Sequence, residues 1–341
     1  MSELHSVAAR MVEKGKGILA ADESTGTCTK RFEGIGVEST FESRGNYRSN
    51  LFTAPGLESY ISGVILYDET FRQNIFGTDH SIPKYLQSKD ILPGIKVDTG
   101  AHPLKEGSDE KNTTGLDGLA ERLGEYYALG ARFAKWRAVI TLGDRMPSND
   151  CILVNAEGLA KYALSCQQAS LVPIVEPEVL MDGSHTIDEC FDVTISAQKE
   201  VFKQLDTQNV MLEGIVLKPN MVVSGNKCTV QAGVEEVANR TVECLKSTVP
   251  SSVPGIAFLS GGQSSEDATA NLNMMNAKYG DDLPWNLTYS YGRALQQSAL
   301  NTWLGKTENV PAAQDAFFHR AKLNGLASKG EYSESMEEVA V

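Results

Sequence analysis

Five apolar runs in the chain stop at polar or charged residues two positions apart. They are Asp22 and Ser24 after GILAA, Lys96 and Asp98 after ILPGI, Lys135 and Arg137 after ARFA, Glu176 and Glu178 after LVPIV, and Lys218 and Asn220 after GIVL. Residues i and i+2 of a strand point the same way, so each pair faces one direction. Five such endings deliver acids, bases and cations to one shared mouth. Lys218 is the sharpest of them. Most lysines snorkel to solvent, but an amine at the end of a buried strand is poorly solvated, which disfavours its charged form. A second cation nearby, such as Lys135, adds to that effect. A neutral amine attacks a ketone to form a Schiff base, whose iminium withdraws electrons from the adjacent carbon.

Glu176 and Glu178 flank Pro177 and share the mouth. Two carboxylates in one pocket resist joint ionisation, so one is expected to act as a proton donor while the other pairs with a cation. Lys96, Lys135 and Arg137 add positive charge, with Trp136 turned into the packing between two of them. Some of these ions pair with Asp22, Asp98 and the glutamates; a net positive pocket for phosphate is the functional expectation. Ser260-Gly261-Gly262 precedes a helix start capped by Ser264, and Ser290-Tyr291-Gly292-Arg293 ends a later run. Glycines let backbone N–H groups approach an anion at a helix N-terminus. Near the start, Asp22 to Thr27 followed by Lys30 and Arg31 reads as a helix cap with a basic patch, or as ligands for a second phosphate.

The elements that must position these residues are eight strand-like runs: 17–22, 61–67, 91–98, 131–137, 171–178, 214–220, 255–262 and 287–291. Segments of helical period separate most of them, at 117–129, 184–205 and 234–245, and a short helix is expected over 3–16. Alternation of strand and helix implies parallel strands with helical crossovers. Eight repeats favour closure into a single (β/α)8 TIM barrel, whose loops after strands seven and eight commonly hold phosphate. No GxGxxG follows the first strand, which argues against a dinucleotide-binding sheet. The expected layout is one barrel domain over 1–327 and a mobile, solvated acidic tail over 328–341.

The chain has 31 basic and 44 acidic residues, a net charge of −13. That argues against nucleic-acid or anionic-membrane binding. Six scattered cysteines read as reduced thiols, and the histidines lack metal-ligand spacing. No signal peptide or membrane-length run is visible, so the cytoplasm is the expected setting, with no metal and no cofactor.

GILAADES, FAKWR, VPIVEPE, LEG-x-x-LKPNM, FLSGGQS and SYGRALQ together resemble the class I fructose-1,6-bisphosphate aldolases, the metal-independent Schiff-base type, over roughly residues 3–327. The resemblance implies a (β/α)8 homotetramer that reversibly cleaves fructose 1,6-bisphosphate to dihydroxyacetone phosphate and glyceraldehyde 3-phosphate. It implies Lys218 as the Schiff-base lysine, Glu176 as the proton-handling acid, and Asp22 as the carboxylate at the cleaved hydroxyl. Lys135 becomes the cation beside the iminium and Glu178 the supporting acid. Ser260, Gly261, Ser290, Gly292 and Arg293, with Gly262 beside them, match the ketone-side phosphate site. Lys96, Arg137, Ser24, Thr27, Arg31 and Arg44 match positions near the other phosphate. Many family members end in a tyrosine that serves the enamine, whereas this sequence ends Glu338-Val339-Ala340-Val341 and its nearest tyrosine is Tyr332. Enamine protonation is therefore expected to use another group or to be slow. The alternatives are a transaldolase-like or other barrel Schiff-base enzyme, and a scaffold that keeps the barrel without its chemistry. Residues and spacing by themselves stop at a Schiff-base enzyme acting on a phosphorylated carbonyl compound.

Overall fold

The computed structural model describes residues 2–338. After a helix over Glu3–Met11 come ten strands: β1 Gly17–Ala21, β2 Ile61–Leu66, β3 Leu92–Lys96, β4 Gly100–Pro103, β5 Lys111–Thr114, β6 Phe133–Ile140, β7 Val172–Val179, β8 Val216–Leu217, β9 Gly255–Phe258 and β10 Asn286–Tyr291. Eight of them close a barrel in the order β1-β10-β9-β8-β7-β6-β3-β2. Each adjacent pairing in it is parallel. Helices lie between the strands, so the fold is the expected (β/α)8 barrel. β4 and β5 form a separate antiparallel hairpin. β2, β7 and β9 are buried along their whole length, as strands covered by helices outside and side chains inside must be.

The inward-facing column of each strand changes character along its length. Ile18 and Ala20 lead to Asp22, Phe133 to Lys135 and Arg137, Val172 and Ile174 to Glu176 and Glu178, and Val216 to Lys218. The apolar members join Ile65, Leu92 and Ala257 in one cluster with Ala8, Met11 and Val12. The N-terminal segment thus plugs the lower end of the barrel. Phe133 fills that interior and requires glycine beside it, since a Cβ at Gly94 would come within 2.1 Å of the ring.

Strand ends differ from expectation for local reasons. β8 spans two residues instead of 214–220, because Pro219 has no N–H to continue the ladder. Asn220 replaces the lost pairing: its Oδ1 accepts from Val179 N at 3.0 Å. β6 runs on to Ile140, pairing Ala138–Ile140 with Pro177–Val179. The first helix ends at Met11, short of residue 16, and Gly15 turns the chain with φ +90°.

The acidic tail keeps Glu331, Ser333, Glu334 and Ser335 exposed, yet its described part is docked. Tyr332 is buried in the main core, its hydroxyl donates to Glu337 at 2.9 Å, and Arg320 pairs with Glu337 at 2.5 Å. A single tyrosine and one ion pair supply the anchor that composition did not suggest. Val339–Val341, on which the expectation of a missing terminal tyrosine rests, lie outside the described residues.

Candidate active site

Above the apolar floor, the carboxyl ends of the strands open on a cavity of about 370 Å³. Every expected site residue lines it except Arg44 and Gly262. Six cations (Arg31, Lys96, Lys135, Arg137, Lys218 and Arg293) face five carboxylates there, so the pocket is net positive inside an acidic protein.

At its centre, four strand ends set ions of alternating sign in a row. Lys218 follows β8 and is held by its N–H to Val175 O at 2.8 Å. Its Nζ lies 3.3 Å from Glu176 Oε1, Glu176 Oε2 lies 3.3 Å from Lys135 Nζ, and Lys135 Nζ lies 2.8 Å from Asp22 Oδ2. Lys135, Glu176 and Lys218 are all buried. Burial opposes charge on Lys135, but Asp22, Glu176 and Asp98 outweigh it and hold the ammonium well above the usual lysine range. Burial likewise opposes charge on Asp22, while Lys135, Lys218 and Lys96 hold its carboxyl well below the usual carboxylate range. Glu176 Oε2 has no hydrogen bond of good geometry, which leaves an acceptor aimed into the centre of the row. Trp136 stacks on Tyr162 at 5.5 Å on the outer face of β6, as its place between two mouth cations required.

Two flanks extend from this row. On one, Lys96 pairs with Asp98 at 2.7 Å, and Arg137 donates to the Glu178 carboxylate. Ser24 caps the helix Thr25–Glu33 and sits 3.1 Å from the Thr27 hydroxyl, so the cap and the candidate ligands are the same residues. Burial lowers the basicity of Arg137, but Glu178 and Glu176 more than restore it, and the guanidinium stays charged.

The other flank is mostly backbone. Gly261 turns with φ +57°, the helix Ser265–Tyr279 begins beside it, and Gly292 precedes the helix Arg293–Trp303. Ser290 Oγ is buried without a partner, and Arg293, whose Nη2 donates to Gly261 O at 2.8 Å, has no carboxylate partner among the described residues. These groups suit an anion, which a helix N-terminus and free donors favour.

Arg31 departs from the sequence expectation of a place with Lys96 and Arg137. Its Nη1 binds Glu23 at 2.6 Å, and its Nη2 lies 3.9 Å from where a Cβ would stand on Gly292. It belongs to the backbone-rich flank. Arg44 is not brought to the cavity. It lies on the helix Phe41–Phe52, and its guanidinium is engaged by both oxygens of Glu69 at 2.8 and 2.6 Å. Gly262 lines a neighbouring chamber of about 260 Å³ instead, where Met181 covers it.

Sequence reasoning missed Glu23, Gly100 and Ala101, which also line the cavity. The hairpin of β4 and β5 carries the last two to the rim, tied by the Thr113 hydroxyl to Arg137 O at 2.8 Å. Its signal was the Gly107-Ser108 turn between two short polar stretches, a pattern that solvated loops share. Among the described residues, no group of three His, Cys, Asp or Glu side chains is arranged to hold a metal ion, and no helix is long and apolar enough to cross a membrane.

A family model described as fructose-bisphosphate aldolase class-I matches residues 3–341. A probable fructose-bisphosphate aldolase class 1 of Xanthomonas campestris pv. campestris is 54% identical over 335 residues, spanning 97% of this chain and 99% of the relative. A fructose-bisphosphate aldolase of Plasmodium falciparum is 50% identical over 333 residues, with 97% and 89% covered. A solved structure of the Plasmodium falciparum aldolase, in complex with TRAP and a small-molecule inhibitor, superposes with a TM-score of 0.94 at 50% identity. It covers 97% of this chain and 95% of that one.

Proposed function

The chain belongs to the class-I fructose-bisphosphate aldolase family, and on that premise we propose that Lys218 forms the Schiff base through which fructose 1,6-bisphosphate is reversibly cleaved. The observation that carries this reading is the buried row in which Lys218 Nζ stands 3.3 Å from Glu176, itself 3.3 Å from Lys135.

Lys218 passes a proton to Glu176, 3.3 Å away, and adds as the free amine to the C2 ketone of the open-chain sugar. Glu176 gives a proton to the departing hydroxyl, so water leaves and an iminium remains. The iminium draws electrons from C3. When the C4 hydroxyl gives its proton to a carboxylate, the C3–C4 bond breaks, glyceraldehyde 3-phosphate departs, and its bonding pair becomes the enamine. Glu176, whose Oε2 faces Lys135 across an ion pair but accepts no hydrogen bond, suits that proton transfer. Asp22, held ionised by Lys135, is a weak base and serves to orient the hydroxyl. Lys135 keeps its charge throughout and stabilises the carboxylates on either side of it. A proton returned to C3 restores the iminium, and water releases dihydroxyacetone phosphate with Lys218 regenerated.

Ser260, Gly261, Ser290, Gly292 and Arg293 would hold the ketone-side phosphate. Lys96, Arg137, Ser24 and Thr27 would hold the other, with Glu178 positioning Arg137. Anchoring both ends fixes C2 over the lysine, a positional effect of the kind that converts a bimolecular step into a unimolecular one. We read the same membership as implying a cytoplasmic homotetramer, which sedimentation equilibrium of the purified chain tests for assembly. The functional test is a cleavage assay on fructose 1,6-bisphosphate and fructose 1-phosphate. The expected result is preference for the bisphosphate and loss of both activities in Lys218→Met. Undiminished cleavage by that variant would overturn the assignment.

A further inference from the structure

Behind the ketone-side flank lies a buried arginine that the proposed reaction leaves unused. Arg48, on the helix Phe41–Phe52, is 1% exposed and does not line the cavity. Its Nη2 donates to Glu23 O at 2.6 Å and lies 3.6 Å from Glu23 Oε2, 3.4 Å from Cys28 Sγ; its Nη1 donates to the Thr70 hydroxyl. A buried cation is costly unless its charge is matched, and among the described residues its carboxylate partner is Glu23.

Glu23 is also held from the other side. Its Oε1 accepts from Arg31 Nη1 at 2.6 Å and from Gln296 Nε2 at 2.8 Å. Gln296 is oriented in turn by Ala20 O, which accepts from the same Nε2 at 2.7 Å, and by the Tyr47 hydroxyl, which donates to its Oε1 at 3.3 Å. A carboxylate fixed this firmly fixes the direction of Arg31, whose other nitrogen then faces Gly292.

Charge points the same way. Arg31, Glu23 and Arg48 together carry one net positive charge. Without Arg48, the Arg31–Glu23 pair is neutral and offers an anion far less. We propose that Arg48 is a positioning residue for the ketone-side phosphate: by neutralising Glu23 from inside the protein, it leaves Arg31 both aimed at Gly292 and free to give its charge to the ligand. The proposal rests on the reading above that a phosphate binds on this flank.

The test is borohydride trapping on Lys218 with dihydroxyacetone phosphate and with dihydroxyacetone, which lacks the phosphate. The half-saturating concentration of dihydroxyacetone divided by that of dihydroxyacetone phosphate measures what the phosphate contributes. In Arg48→Met that ratio should fall about tenfold, the size of one lost charge-assisted hydrogen bond. Arg48→Lys, which keeps the charge and loses the fork, should fall less. On an Arg31→Met background, Arg48→Met should change the ratio no further. Equal weakening toward both ligands would make Arg48 a packing residue and overturn the proposal. So would a full tenfold fall on the Arg31→Met background. Should Arg48→Met fail to fold, an unchanged ratio in Arg48→Lys overturns it instead. A wild-type chain left unlabelled at Lys218 sinks the functional reading and this proposal with it, an outcome distinct from any behaviour of the Arg48 variants.

Discussion

Phe133 and Lys135 are two residues apart on one strand, and they belong to opposite ends of the same barrel. Phe133 lies in a floor of carbon sealed by the N-terminal helix, while Lys135 lies in a row of ions opening on the cavity. The same step separates Ile174 from Glu176, Ala20 from Asp22 and Val216 from Lys218. A dry floor beneath the ions lowers the local dielectric, so each charge acts strongly on its neighbour. The floor therefore answers for stability and the mouth for chemistry, although their residues follow one another along continuous strands.

The largest expected effect breaks the mouth alone. Lys218→Met should lower cleavage by about 10⁴-fold or more, as loss of a covalent nucleophile does. Its unfolding curve should stay close to wild type, because Glu176 keeps Lys135. Phe133→Ala attacks the floor: urea denaturation should show a loss of about 3–5 kcal/mol. The folded fraction should still form the Lys218 adduct. A catalytic collapse at unchanged stability would erase the proposed division.

Lys135→Met straddles the two regions. It should cost about 3 kcal/mol at neutral pH, because Asp22 and Glu176 lose a buried partner. The pH dependence has a definite sign. Asp22 is depressed in the folded state, so its contribution is full above the ordinary carboxylate range and fades as pH falls below it. Lys135 is raised, so its contribution is full below the ordinary lysine range and fades as pH rises above it. The gap in urea midpoint between wild type and variant should thus be widest from mildly acidic to mildly alkaline pH and narrow toward acid. A gap that widens in acid would contradict the ion row. The smallest effect is expected away from both ends. Tyr332→Phe removes the hydroxyl donated to Glu337 and should cost about 1 kcal/mol in denaturation, with adduct formation unchanged.

The barrel and the central row are legible in the sequence because both follow from strand alternation. A residue two positions past an inward-facing apolar one must share its face, and that places Asp22, Lys135, Glu176 and Lys218 together. What escapes is whatever depends on a partner distant in sequence. Arg44 looks available until Glu69 engages it, and Arg31 is held on its flank by Glu23, on which Arg48 and Gln296 converge. The shortness of β8 was written in Pro219, but the Asn220 bond that repairs the ladder needs β7 alongside. Composition called the tail solvated, and it misses that Tyr332 and Glu337 meet the buried Arg320.

In the proposed reaction, Lys218 is the group the whole mouth serves. Borohydride reduction in the presence of dihydroxyacetone phosphate, followed by mass analysis of the peptides, tests it most directly. One stable adduct is expected, on Lys218, and inorganic phosphate should suppress it by competing for the ketone-side flank. Labelling at Lys135 or Lys96 with Lys218 unmodified would contradict it.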